Sequence, residues 1–205
     1  LIERNWFQYE GTDIVVATGK FKGNNVDGGT SWTVQWAKRD NKPVFVFDVQ
    51  TSKWKTWVNN AWKDTEAPDL SKYKSITGVG TRELTPAGKK AIEAVSKTIQ
   101  KGSVLKSGGA SGSDKAWEAG ARAASAQVES IRPGTLSDTQ RATAIKQILD
   151  IENWVPKVAK PVDEMVHAPT GMTKSDYDKL VPKKTITNQI EFFSLLNSFD
   201  LSEMR

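Results

Sequence analysis

The sequence predicts an α/β protein, a Rossmann-like open parallel sheet with helices on both faces, carrying a small β-hairpin and a helical C-terminal extension. Three observations predict it. Short runs rich in Val, Ile and Phe, bounded by turn formers, recur at 13–17, 43–49, 75–79, 103–106 and 127–131 and read as buried strands. Helical patterns alternate with them, the signature of strands joined by helical crossovers. Glycine-rich loops precede helices: Asp27-Gly28-Gly29-Thr30-Ser31, Gly78-Val79-Gly80-Thr81-Arg82-Glu83 and Ser107-Gly108-Gly109-Ala110-Ser111-Gly112-Ser113-Asp114.

Taken in order, residues 1–7 read as the middle of a helix and, lacking a leading Met, as the start of a processed or excised fragment. A helix over 30–39 carries Trp32, Val34, Trp36 and Ala37. Over 48–64, Trp54 to Val58 and Ala61-Trp62 flank Asn59-Asn60 and predict a hairpin, because asparagine tolerates the left-handed conformation of tight turns. Thr85-Pro86 supplies an N-cap and a first-turn proline. Ile92, Val95 and Ile99 then share one face until Gly102. The next helix opens at Ser113-Asp114, with Ala116, Trp117, Ala121 and Ala124 as its packing side. Residues 1–135 thus form the sheet domain. The extension, 136–205, holds a helix capped by Ser137-Asp138, an irregular stretch over 156–182 and a last helix over 187–199.

The composition, 38% hydrophobic and 26% charged in 205 residues, fits a globular chain with a substantial core. No apolar run approaches the roughly 20 residues of a membrane span, so no membrane partner is expected. The absence of cysteine excludes disulfides, thiolate zinc sites and cysteine nucleophiles. The single histidine, His167, reads as a loop residue, which argues against a Ser-His-Asp triad or a histidine metal site; no metal and no cofactor are expected. The net charge of +5 favours anionic partners, with the lysines scattered along the chain.

In open parallel sheets, ligands bind outside the carboxyl ends of the strands, so the three loops are expected to converge on one pocket. Glycine lets backbone amides approach a phosphate, and a following helix adds its positive end. Gly78, Gly80 and Thr81 are expected to shape one such loop, with Arg82 offering a forked cation. Ser107, Gly108, Gly109 and Ser111 supply a second, and Gly28, Gly29, Thr30 and Ser31 the third. Asp114 reads as a helix N-cap before a catalytic acid. Arg4 and Asn5 either reach the pocket from the first helix or solvate its end. Gly78-x-Gly80-x-x-Glu83 lacks the third glycine of a dinucleotide fingerprint, so a nicotinamide dehydrogenase is not expected.

The stretches 76–82 and 105–114, with Glu3-Arg4-Asn5-Trp6 and Gly28-Gly29-Thr30 followed by 42–48, resemble the SLOG superfamily of Rossmann-like nucleotide-binding domains. That group includes the LOG phosphoribohydrolases and the DNA-processing protein A family. The resemblance covers roughly residues 1–135 with its segments in reversed order, implying either a domain circularly permuted within one sheet, the favoured reading, or the second half of one domain joined to the first half of another. A similar order occurs in modules of very large phage and mobile-element proteins. The resemblance therefore implies a viral or bacterial-cytoplasmic setting, and self-association or a larger phage assembly as partner. It also bears on catalysis. The family's Pro-Gly-Gly-x-Gly-Thr-x-x-Glu pattern falls on Asp27, Gly28, Gly29, then Ser31 and Trp32, and places Gln35 at the glutamate. Glutamine supplies no carboxylate. Hydrolysis is then lost unless Asp27, Glu83, Asp114 or Glu118 substitutes, Glu83 and Asp114 being the foremost candidates.

Three readings follow. The first is a binding module for a nucleotide-derived phosphate ligand. The second is an N-glycosidic nucleotide hydrolase using Glu83 or Asp114. The third is a structural or nucleic-acid-handling module of a phage or mobile-element protein, in which the pocket is vestigial and the tail or the tryptophan ribbon contacts a partner. The ribbon's rings, interleaved with Lys53, Lys55 and Lys63, read either as a base-stacking platform or, more simply, as cross-strand aromatic pairs.

Overall fold

The computed structural model describes residues 2–151. The expected stretch over 156–182, the helix over 187–199 and His167 lie outside the described residues.

Residues Ile2–Leu136 form one compact unit. Its elements are α1 (Ile2–Tyr9), β1 (Ile14–Gly19), β2 (Phe21–Lys22), β3 (Asn25–Val26), α2 (Thr30–Arg39), β4 (Val44–Asp48), β5 (Lys53–Val58), β6 (Ala61–Thr65), β7 (Ser75–Gly80), α3 (Pro86–Ser96), β8 (Val104–Ser107), α4 (Ser113–Ala123) and β9 (Gln127–Ser130). Seven strands make one sheet in the order β6-β5-β4-β1-β7-β8-β9. β4, β1, β7, β8 and β9 run parallel, while β5 and β6 pair antiparallel at one edge. The expected fold class is the observed one, and both halves of the chain complete a single sheet.

The pleat divides the core between two layers. β1 is buried at every position, as a strand covered on both faces must be. Ile14 and Val16 join Ile76, Leu105, Ile92, Val95, Trp117 and Ala121 in the layer under α3 and α4. On β7 the neighbours Thr77 and Gly78 face opposite ways: the Thr77 hydroxyl donates to the Gln8 carbonyl of α1 at 2.7 Å, while a Cβ on Gly78 would stand 2.9 Å from Trp117 Cγ. Trp117 and Ala121 of α4 thus face the sheet with Ala116 packed beside them, while Ala119 and Ala123 are exposed. On the other side Trp6, Tyr9 and Trp36 stack within 5.4–5.8 Å of one another, joining α1 to α2.

The predicted hairpin is present as β5 and β6. Asn59 (φ 53°) and Asn60 (φ 58°) both take the left-handed conformation its two-residue turn demands. Its rings pair with each other: Trp57 lies opposite Trp62 with centroids 5.4 Å apart, and Trp54 meets Phe47 at 5.4 Å. The β2–β3 ribbon adds Phe21 against Trp62 at 5.0 Å and was not predicted. The helix expected to run to Gly102 ends at Ser96. There Thr98 and Ile99 donate to the carbonyls three residues back, and the Thr98 hydroxyl is held between the Val95 carbonyl and the Leu70 amide.

In the second unit, from Ser137 onward, α5 (Asp138–Ile151) starts with a reciprocal cap. The Gln140 amide donates to Ser137 Oγ at 3.2 Å, and the Ser137 amide to Gln140 Oε1 at 2.8 Å. Among the described residues no helix is long and apolar enough to cross a membrane.

Candidate functional site

The chain leaves β1 toward β4 on one side and β7 toward β8 on the other, so the strand order reverses between β1 and β7. Outside the carboxyl ends of two such strands lies the crevice where open α/β sheets bind ligands. There Thr18, one residue before the end of β1, pairs in register with Gly80, the last residue of β7.

Gly80 is glycine because the chains meet there: a Cβ would stand 2.5 Å from the Thr18 carbonyl and 2.8 Å from Ser113 Cβ. Past it, the Thr81 carbonyl accepts from both the Ser113 amide (3.1 Å) and the Ser113 hydroxyl (2.8 Å). The Thr18 and Ser113 hydroxyls also bond to each other. The loop after β7 is thereby fastened to the start of α4, with Arg82 exposed beside it. Glu83 is exposed as well and pairs with Lys20 at 3.4 Å. Gly78, expected in this loop, instead lies inside β7, where its missing side chain makes room for Trp117.

The loop after β8 folds back on a carboxylate of its own. Gly112 is the N-cap of α4, and Asp114, expected as the cap, is the second helical residue. Its Oδ2 accepts from the Ala110 amide at 3.2 Å, and the Gly108 amide donates to the same carboxylate. Asp114 is 5% exposed. Burial pushes its pKa up to about 6, although those amides and the Arg4 guanidinium favour the charged form. Ser107 ties the loop to α4: its hydroxyl accepts from the Gly109 amide at 3.2 Å and donates to Glu118 at 2.6 Å. Glu118 also accepts from Ser130 (2.8 Å) and Arg122 (3.3 Å), and those bonds outweigh burial to hold it below its usual range. It is a fastener between β8, β9 and α4. Ser111 is exposed at the loop's tip.

α1 brings the third loop to the other two. Arg4 lies close enough to Asp114 and Arg82 to feel both charges, and burial lowers its pKa. Its Nη2 donates to Asn5 Oδ1 at 3.0 Å, and Asn5 Nδ2 donates to the Gly29 carbonyl at 3.0 Å. Gly29 begins α2 without a side-chain cap, and no acidic residue occupies that first turn. Gly28 (φ 74°) donates its amide to Asp27, and Gln35 donates to Ser31 Oγ at 2.9 Å. Thr30 is half-buried at the first helical position.

Two contributors went unpredicted. Thr18, one residue before the end of β1, lies at the crevice. Gln8 is 1% exposed, its Nε2 has no hydrogen-bond partner, and it abuts Gly108, where a Cβ would stand 2.8 Å from that nitrogen. Gln8 lies four residues after Arg4 on one face of α1, a spacing from which the pair was readable.

Compared with protein-family models, curated proteins and solved structures, the chain finds no match.

Proposed function

We propose that this carboxyl-edge cluster binds a nucleotide-type phosphate ligand, in a sheet domain of SLOG type with permuted segments. The observation that carries the reading is that α1 bonds to the loop before α2 and abuts the loop after β8, with Arg82 of the loop after β7 near enough to act electrostatically on Arg4, all beside the reversal of strand order. Asn5 bonds to the loop before α2, and Arg4 feels the charges of Arg82 in the loop after β7 and of Asp114 in the loop after β8. Two guanidiniums, the uncapped start of α2 and the unpartnered Gln8 amide supply donors of the kind a phosphate takes.

Thermal unfolding against AMP, ADP-ribose, NAD, cyclic dinucleotides and a single-stranded oligonucleotide tests it, with chromatography for free base alongside. A ligand at one hundred times its dissociation constant stabilises by about 2.7 kcal/mol. Stabilisation with the ligand intact supports the binding module. No stabilisation by any phosphate compound overturns it.

One observation favours the hydrolase as second reading: Asp114 is a buried carboxyl with its pKa raised to about 6, fitting a general acid near neutral pH. Glu83, exposed and paired with Lys20, lacks that environment. Release of free base that is lost in Asp114→Asn is the outcome this reading requires.

A further inference from the structure

At the opposite edge of the sheet a second cleft, of about 420 Å³, opens between the end of α2, the start of β4, the β5–β6 turn and the segment before β7. That volume suits a small organic ligand. Its walls include the rings of Phe45, Trp57 and Tyr73, with Lys38, Lys42 and Asn60 around them. Val58, also in the lining, is the one large apolar side chain exposed among the described residues, at 42%.

Lys38 is what makes the cleft more than a surface fold. Its ammonium lies 3.7 Å over the Trp57 ring and 5.6 Å from that of Trp62. Half-buried, it has its pKa lowered by desolvation. Lys42 differs. Its ammonium lies 4.0 Å over the Tyr9 ring and feels Asp40 and Asp13, which partly offset its burial. The cleft therefore presents a partly desolvated cation set against aromatic rings. Such a charge gains most from an anion that brings its own apolar surface.

We propose that this cleft binds a small planar aromatic anion, its ring against Trp57, Phe45 and Tyr73 and its charge at Lys38. The site is separate from the glycine-loop cluster and independent of the function proposed for it. The alternative is a purely structural role, in which Lys38 only braces α2 against the hairpin.

The test uses the full chain, labelled with 15N, and 1-naphthyl phosphate as probe, with 1-naphthol and inorganic phosphate as comparisons. The Trp57 indole signal is assigned through Trp57→Phe. Saturable shifts of that indole, of Lys42 and of Asn60 are expected, with the Gly80 and Gly108 amides unmoved. Each comparison compound should bind at least about tenfold more weakly, since each lacks half of the recognition. Lys38→Met keeps the stem and removes the charge, and should weaken binding by about tenfold or more; Lys38→Arg should restore it. Thermal unfolding establishes that both variants are folded. The proposal is overturned by an unmoved Trp57 indole at millimolar probe, by shifts confined to the glycine loops, or by equal binding in folded Lys38→Met.

Discussion

Asp114 is the residue whose environment most strongly predicts a measurable effect. A carboxyl moved from 3.8 to about 6 on folding releases its proton less readily in the folded chain than in the unfolded one. Between those values the folded state holds more protons, so stability falls as pH rises through the window and stays reduced above it. At roughly 1.4 kcal/mol per pH unit the accumulated penalty above pH 7 is about 3 kcal/mol. Asp114→Asn removes the charge and keeps an oxygen for the Ala110 and Gly108 amides. Its stability relative to the native chain should therefore rise from pH 4 to pH 7, by up to about 3 kcal/mol. Urea unfolding at half-unit pH steps measures this, and taking the difference between the two proteins cancels the titrating groups that do not interact with Asp114. A difference that stays flat across the range, or shrinks toward neutral pH, refutes the assignment of a raised pKa to this carboxyl.

Three further outcomes follow from the geometry. Gly78→Val would drive a side chain into Trp117 and Leu105, which a Cβ alone would approach within 2.9–3.0 Å; unfolding in urea should show a loss of about 1–3 kcal/mol or more. Asn60→Val places a β-branched residue at φ 58° and should destabilise by about 1–2 kcal/mol, whereas Asn60→Gly should be neutral or stabilising. Arg82→Ala, at an exposed position, should leave stability within about 0.5 kcal/mol. By calorimetry it should weaken any ligand identified in the nucleotide panel by about tenfold or more, the worth of a charge-assisted hydrogen bond.

Much of this architecture was legible because one physical signal dominated each element. Every strand read from a short apolar run is present in the sheet: burial on both faces forces such runs on β1, β4 and β7, whereas β9, at the edge, is only partly buried. Asn59-Asn60 announced its turn by the conformation asparagine tolerates. The β2–β3 ribbon was not legible: its strands are two residues each, and the Phe21–Trp62 contact that anchors it joins positions far apart in sequence. The end of α3 was misread because Ile99 continues the apolar face, and indeed stays buried, while the backbone has already tightened into shorter turns. At the site, glycine marked the loops but not what each glycine does. Gly78 and Gly80 stand two residues apart in the same motif, yet the first admits a core tryptophan and the second lets β1, β7 and α4 meet. Sequence spacing does not separate those roles, because both require only the absence of a Cβ.

The loop after β8 also shows why a glycine-rich segment is not by itself an open anion nest. Amides that a phosphate would take are already held by the Asp114 carboxylate, so an incoming anion must displace it, share the loop with it or meet it protonated. Each route raises the proton affinity of Asp114 further, because a second negative charge nearby favours its neutral form. Arg4 sets the balance, being the cation placed to serve either the resident carboxylate or the ligand. Ligand affinity should therefore rise as pH falls from about 7.5 to 5.5, and Asp114→Asn should flatten that dependence to what the ligand's own titration leaves. The carboxylate then acts as an internal competitor. The same buried charge that weakens the fold at neutral pH would tie the occupancy of this loop to protonation, and no loop lacking the aspartate would respond in that way.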